Sequence, residues 1–323
     1  MKTLLVRGYG PEDKILLEDT PAPAPRAGEV QVRVHAAGVS FVDLLVARGG
    51  YQVRPPVPFV PGSEFSGVVH ALGEGTDGTL KVGDRVCGTR QGAWAEYISL
   101  PQAMVLPLPA EADFVASSVL LASYFTALYA LRERGQLRAG ETLLVLGASG
   151  GVGHAAVQIG KVLGARVFAA ASTAAAREAA RAAGADETVD SASPDWKDQV
   201  KALAPKGVDV VYDPVGGDAT DAGFRTLGWN GRLLMIGFAG GQIGQLKTNL
   251  SIVKGASLVG VDARQFGERE GAHAAQVRRD VVALYEQGRI KPMVGHVFPV
   301  ERFSEAEAKM GDRALFGRVV LTF

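Results

Sequence analysis

The chain has 323 residues, enough for about two domains, and is 47% hydrophobic and 21% charged, the balance of a globular protein with a sizeable core. Lys plus Arg and Asp plus Glu both number 34, so the net charge is zero and there is no electrostatic footprint for nucleic acid or an anionic membrane. A single cysteine, Cys87, excludes an intramolecular disulfide and a cysteine-rich zinc site, and it agrees with a reducing cytoplasm.

Taken in chain order, the opening "MKTLLVRGYG" has too short an apolar run for a signal peptide. Residues 1 to about 110 read mostly as β-structure. "KTLLVRGY", "KILLED", "EVQVRVHAAGV", "EFSGVVHALG", "DRVCGTR" and "AEYISL" are short segments rich in Val, Leu and Ile, punctuated by Gly, Pro and Asp. One helix, "FVDLLVARG" at residues 41–49, interrupts what reads as a compact, partly open barrel. Residues 114–131 carry no charge over 18 positions, the lower limit for a membrane-spanning helix. The stretch stands alone and contains Ser117, Ser118, Ser123, Tyr124, Thr126 and Tyr129, which points instead to a buried helix at a domain junction.

From about residue 140 the period changes. "TLLVLG", "RVFAAA", "ETV", "VDVVYD", "RLLMIG" and "SLVGV" are strand candidates, mostly separated by helical stretches such as "AAAREAARAA" and "DWKDQVKAL". That alternation implies a parallel sheet covered on both faces, and six strands suit a doubly wound dinucleotide fold. After residue 265 come a long helix, "AAQVRRDVVALYEQG", and a final strand, "GRVVLTF". There are no clear repeats.

The glycine-rich turn follows the strand "LLVLG". Residues 148–153, "ASGGVG", match G-x-G-x-x-G with Ala148 in the first glycine position, and a helix begins at about Gly151. Apolar Val152, Ala155, Ala156, Ile159 and Leu163 make one helical face. Side chains at the glycine positions would block a pyrophosphate from the backbone amides and from the helix N-terminus. Ser149, Gly150, Gly151, Val152 and Gly153 are the expected contacts. An NAD-type fold usually carries an acid about 20 residues further on, at the end of the second strand. Here Ala171, Ser172 and Thr173 occupy that end. Ser172 and Arg177 could instead bind a 2′-phosphate, which favours NADPH over NADH. Arg177 could equally be a solvated helix residue beside Glu178.

Several separated motifs together resemble the zinc-free quinone oxidoreductases of the medium-chain dehydrogenase/reductase superfamily, the group that includes zeta-crystallin. They are "GEVQVRVHAAGVSFVDLLVARGGY", "VPGSEFSGVV", "KVGDRVCG", "GASGGVGHAAVQIGKVLGA", "YDPVGGD", "GRLLMIGFAGG" and "GRVVLTF", spread over nearly the whole chain. The resemblance implies an α/β protein with a GroES-like, partly open β-barrel catalytic domain at residues 1–123 and 265–323. A doubly wound Rossmann domain at 124–264 would bind NADP(H). The active site would lie in the cleft between them. It also implies a cytoplasmic homodimer in which the last Rossmann strand, around Ser257 to Asp262, pairs with its mate.

Zinc-dependent relatives carry a cysteine where this chain has Ser40, and a Gly-His-Glu triplet where it has Gly62, Ser63 and Glu64. The five histidines show no ligand spacing, so no catalytic metal is expected. Without a Lewis acid, alcohol oxidation is disfavoured. Hydride transfer to an electrophilic quinone or α,β-unsaturated carbonyl needs less assistance.

The resemblance assigns site residues as follows. Tyr51 would donate to the acceptor oxygen, although a loop tyrosine packing on "RPPVPFVP" is an equal reading. Ser40, where quinone-reducing relatives often have Asn, retains a donor. Asp43 matches a family aspartate and could act in catalysis or in capping. Thr126, Ile236, Gly237, Phe238, Phe316 and Gly317 would surround the nicotinamide, and Val215 and Gly216 the adenosine. Ser191 stands where some NADPH-using relatives have a tyrosine. The implied activity is NADPH-dependent quinone reduction. The alternatives are reduction of an enone, alkenal or enoyl-thioester double bond, and a non-enzymatic dinucleotide-binding role, structural or regulatory.

Overall fold

The computed structural model describes residues 1–10, 15–312 and 315–323; Lys14, the first residue of the expected strand "KILLED", lies outside them. The chain divides into two compact units, Met1–Ala122 with Arg278–Phe323, and Ser123–Val277. In chain order the elements begin with β1 (Lys2–Val6), β2 (Ile15–Asp19), β3 (Glu29–Val39), α1 (Phe41–Ala47), β4 (Glu64–Leu72), β5 (Arg85–Thr89), β6 (Tyr97–Pro101), β7 (Val105–Pro107), α2 (Phe114–Ser117) and α3 (Leu121–Leu128). Then come β8 (Thr142–Val145), α4 (Gly151–Val162), β9 (Arg166–Ala171), α5 (Ala174–Ala182), β10 (Glu187–Asp190), α6 (Trp196–Leu203), β11 (Val208–Asp213) and α7 (Asp218–Thr226). The chain continues through β12 (Leu227–Met235), α8 (Asn249–Lys254), β13 (Ser257–Gly260), α9 (Ala263–Arg269), α10 (Gly271–Glu286), β14 (Val294–Pro299), α11 (Phe303–Met310) and β15 (Arg318–Thr322).

The first unit is built on a seven-stranded sheet of order β14-β15-β3-β4-β5-β7, with β6 also on β3; β1 and β2 form a separate pair. β3 is long because it serves three partners: residues 36–39 pair β15, residues 29–33 pair β6, and residues 30–37 pair β4. Its apolar residues Val30, Val32, Val34, Ala37 and Val39 enter a core with Phe65, Trp94, Leu100 and Phe303. The alternation through Val30, Val32 and Val34 slips by one at the irregularity between Val34 and Ala36, and Ala37 and Val39 carry it on.

The second unit holds six parallel strands in the order β10-β9-β8-β11-β12-β13. Numbered within the unit this is 3-2-1-4-5-6, the doubly wound order. The inner strands carry buried apolar runs at residues 143–145, 167–171 and 210–212, as strands covered on both faces do. The order reverses between β8 and β11, so the carboxyl ends of those strands mark the crevice where such sheets bind ligands.

Residues 114–131 are not one helix, as expected, but α2, α3 and a π-helical stretch over Tyr129–Arg134. Ser118 Oγ turns back onto Val115 O at 2.8 Å, a bond that competes with helix continuation. The amide of Ala122, in the first turn of α3, donates to Glu64 Oε2 at 2.9 Å. Among the described residues no helix is long and apolar enough to cross a membrane.

Candidate functional site

The glycine turn leaves β8 at Leu146, whose amide still reaches Tyr212 O on β11 at 3.0 Å. Gly147 then takes φ +58, a left-handed conformation that glycine adopts freely, and a Cβ there would stand 2.9 Å from Val215 Cγ2. Ala148 is fully buried, its amide on Ala170 O at 3.1 Å. α4 begins at Gly151 with Gly150 as its N-cap. A Cβ on Gly153 would lie 2.2 Å from Gly147 O, so this glycine lets the helix pack on the turn. Gly150 differs: it is exposed, and the nearest atom to a built Cβ is 3.6 Å away. Ser149, Gly151 and Val152 are partly buried beside it. The first amides of a helix have no intrahelical acceptors, so residues 151–153 present a donor edge to an anion.

One strand over, Ser172 is exposed at the end of β9, and Thr173 caps α5 by accepting from Ala176 N at 3.2 Å. Arg177 is not a solvated residue beside Glu178, whose partner is Arg181. Its Nη1 donates to Ala171 O at 3.1 Å and pairs with Asp190 Oδ1 at 3.0 Å. The guanidinium therefore spans the carboxyl ends of β9 and β10. Ser191 follows, exposed, with its amide on Ala171 O at 3.3 Å. It opens onto a groove of about 950 Å³ that runs past Trp196, Asp218, Arg225, Leu246 and Lys247.

Asp213, fully buried at the end of β11, organises the next loop. Its carboxylate accepts from Val215 N (2.9 Å), Gly216 N (3.0 Å) and Thr220 Oγ1 (2.7 Å). Gly216 has φ +76, and a Cβ there would meet Phe238 Cδ1 at 2.7 Å. Ile236 N reaches Asp213 O at 2.9 Å, and Ala239 N reaches Pro214 O at 3.0 Å. Val215, Gly216, Ile236, Gly237 and Phe238, together with Gly147 of the glycine turn, are thus brought to one edge of the sheet. Phe238 is exposed there. Thr126 is partly buried on α3.

In the first unit Ser40 and Asp43 form a capping box at the start of α1. Asp43 N donates to Ser40 Oγ at 3.0 Å, Ser40 Oγ lies 2.6 Å from Asp43 Oδ2, and Ser40 N donates to the same oxygen at 2.9 Å. Ser63 also hydrogen-bonds Asp43. Burial pushes the Asp43 carboxyl above its usual range, opposed by these bonds and by the charge of Arg318. Behind it Glu64 is 1% exposed and ion-paired to Arg318, and its other oxygen accepts from Ala122 N. Burial raises Glu64 too, against the pull of Arg318. A Cβ on Gly38 would stand 2.8 Å from Glu64 Oε1, so glycine makes room for the pair. Cys87 is buried nearby, its thiol pushed up by burial and by Glu64, which leaves it unreactive.

Tyr51 is partly buried, and its hydroxyl has no hydrogen bond among the described residues. A second tyrosine also reaches the proline-rich loop. Tyr9 lies with its ring against Gly49 and donates its hydroxyl to Pro55 O at 2.6 Å. Phe316 is partly buried, and Gly317, at φ +75, is buried where the chain enters β15. Sequence reasoning missed Asp190, Asp213, Tyr9 and the Glu64–Arg318 pair as parts of these sites. Only the serine-x-x-acid pattern at 40–43 gave a local sign of its role.

A reversed-order parallel sheet with an open glycine turn, in a chain that also carries a GroES-type β unit, defines a dinucleotide-dependent oxidoreductase. Residues 26–110 match the family described as alcohol dehydrogenase GroES-like domain, and residues 151–276 the family described as zinc-binding dehydrogenase. The synaptic vesicle membrane protein VAT-1 homolog of Mus musculus is 35% identical over 99% of this chain and 83% of its own length. Quinone oxidoreductase-like protein 2 of Mus musculus is 37% identical over 91% and 85%. Among solved structures, the quinone oxidoreductase of Thermus thermophilus, described with its NADPH complex, aligns at TM-score 0.87 and 31% identity over 100% of both chains. The CurK enoyl reductase aligns at 0.89 and 26% over 99% of this chain and 98% of that one. The chain belongs to the medium-chain dehydrogenase/reductase superfamily, within its zinc-free quinone oxidoreductase-type family.

The donor set does not fit the zinc that one family description names. Ser40 and Ser63 offer hydroxyls already bonded to Asp43, and Glu64 is held by Arg318 and Ala122. Zinc sites use thiolate, imidazole or free carboxylate. Among the described residues no group of three or more His, Cys, Asp or Glu is placed to hold a metal.

Proposed function

We propose that the chain is a zinc-independent, NADPH-dependent reductase of quinones that acts as a cytoplasmic homodimer. Residues 1–123 and 265–323 would form its catalytic part and 124–264 its NADP(H)-binding part. The observation that carries this reading is the open amide edge of residues 151–153 beside the exposed Gly150, at the point where the strand order reverses. The NADPH complex described for the Thermus thermophilus relative supports the choice of dinucleotide, and two quinone oxidoreductase names among the relatives support the choice of acceptor.

NADPH, when bound, supplies the hydride. Ser149 and Gly150 to Gly153 would hold the pyrophosphate, Ser172 and Arg177 the 2′-phosphate, and Val215 and Gly216 the adenosine. Thr126, Ile236, Gly237, Phe238, Phe316 and Gly317 would flank the nicotinamide. Tyr51, whose hydroxyl has no hydrogen bond among the described residues, would donate to the acceptor oxygen as negative charge develops there. Ser40 is a second donor through Asp43. When the buried Asp43 carries a proton it can donate to Ser40 Oγ, which turns the Ser40 hydroxyl outward. A quinone is electrophilic enough for such donors to suffice. The likeness to the CurK enoyl reductase supports a second reading, reduction of a carbon–carbon double bond conjugated to a carbonyl.

The test is oxidation of NADPH, and separately NADH, by benzoquinone, phenanthrenequinone and an alkenal, with and without chelator. Rapid NADPH oxidation by quinones, indifferent to chelator, is expected. In that assay Tyr51→Phe should lower kcat on the order of tenfold to a hundredfold at similar KM. Turnover with the alkenal alone would replace the quinone reading with the second one. Tight NADPH binding without any turnover would leave a non-enzymatic dinucleotide-binding role.

A further inference from the structure

We infer that Asp190 is a positioning residue that sets how strongly this chain discriminates between NADPH and NADH, acting through Arg177; this rests on the dinucleotide reading above. The second strand of the sheet, β9, ends without an acid, at Ala171, Ser172 and Thr173. An acid nevertheless stands at that corner, supplied by the neighbouring strand. Asp190 is the last residue of β10 and lies in register with Ala171. Its Oδ1 pairs with Arg177 Nη1 at 3.0 Å and accepts from Ala192 N at 3.0 Å. The same Nη1 donates to Ala171 O, so the guanidinium is fixed across the ends of both strands. The Arg177 side chain is 20% exposed, against 54% for Arg181 one turn on.

A 2′-phosphate at this corner must share one guanidinium with a carboxylate already bound to it. Two anions on one cation weaken each other, and Arg177 cannot turn fully toward the phosphate without leaving Asp190. A ribose 2′-hydroxyl meets the opposite situation. It is a donor, and Asp190 is an ionised acceptor of the kind that NAD-type folds place one strand away. The Arg177–Asp190 pair therefore moderates the NADPH preference that Ser172 and Arg177 alone would give, and it keeps NADH as a usable ligand.

Calorimetric titration of the full-length protein with NADPH and with NADH tests this, using the wild type, Asp190→Asn and Arg177→Ala. Asparagine keeps an oxygen to accept from Ala192 N, so the turn after β10 is retained. Asp190→Asn should tighten NADPH about tenfold and weaken NADH severalfold. Arg177→Ala should weaken NADPH and leave NADH within a few-fold. Opposite movement of the two affinities is something a merely structural role cannot produce. If Asp190→Asn changes both affinities by the same factor, or neither, the inference is wrong while the dinucleotide reading stands. A wild type that binds neither nucleotide overturns both together.

Discussion

At the scale of single residues, the first unit's chemistry turns on one cation among two buried carboxyls. Arg318 pairs with Glu64 and acts on Asp43, and both acids are buried. Removing one partner of a buried pair strands the other. Arg318→Met should therefore cost about 3–5 kcal/mol in urea unfolding at about pH 8. The pH dependence has a definite sign. Burial already raises the folded pKa of Glu64 above its unfolded value, and losing Arg318 raises it further. The folded variant then binds more protons than the unfolded chain. Its stability is greatest below the unfolded glutamate value of about 4.3 and falls as pH rises through the folded one. The deficit relative to wild type should shrink at about pH 5. Adding Glu64→Gln should restore much of the loss, since a neutral side chain needs no counter-charge. A double variant no more stable than Arg318→Met would show that the ion pair is not what the arginine contributes.

At the scale of elements, the glycine turn separates packing from binding. A methyl on Gly153 would meet the backbone of Gly147 at 2.2 Å and of Ala148 at 3.0 Å, and backbone cannot swing away. Gly153→Ala should cost about 1–3 kcal/mol by overpacking. A methyl on Gly150 meets nothing closer than 3.6 Å, and its φ of −79° suits alanine. Gly150→Ala should lose at most about 1 kcal/mol, the usual cost of alanine at an N-cap. Yet it should bind NADPH far more weakly, because the methyl stands on the amide edge. Thermal melts and NADPH titrations of both variants decide the matter; wild-type affinity in Gly150→Ala would move the pyrophosphate elsewhere. This turn was legible in the sequence because strand, turn and helix start lie within a dozen consecutive residues. The break at Ser118 was not. The uncharged run 114–131 reads as one helix until Glu64, more than fifty residues earlier, takes the amide of Ala122. The Arg318–Glu64 pair, 254 residues apart, and the Asp190–Arg177 bond across two strands are equally silent in a linear reading. Local periodicity reveals elements, whereas partners that meet only through sheet register need the fold. For Tyr51 the sequence left two readings open, and it gave no sign that Tyr9 reaches the same proline-rich loop.

At the scale of the whole molecule, the chain has an open strand edge and no net charge to keep copies apart. β13 ends the six-stranded sheet, and among the described residues no strand pairs its outer edge. Such an edge is a template for another chain. Leu258 on β13 is 49% exposed, and Ile252 and Val253 of the preceding helix are 84% and 73% exposed. Trp229, 76% exposed, lies against Gly255 between them: a Cβ on Gly255 would stand 2.4 Å from its ring. This is a run of apolar surface beside a strand edge that no other described strand pairs, with Gly260 O accepting from Arg134 Nε at 3.1 Å, in a chain whose zero net charge adds no long-range repulsion between copies. A second copy pairing antiparallel along β13 would satisfy the backbone groups and cover the apolar side chains together, because a two-fold axis sets each strand against its own mate. Light scattering after gel filtration should give twice the mass of one chain at micromolar concentration. Leu258→Lys should shift the protein toward monomer, since a lysine would have to lose its hydration against its own symmetry mate. NADPH affinity should be retained in that variant, because Leu258 is none of the residues proposed to hold the dinucleotide and the corner at Ser172, Arg177 and Asp190 lies on the far side of the sheet's reversal point. A wild type that runs as a monomer, or a Leu258→Lys variant that remains a dimer, would assign the β13 edge to some role other than self-association.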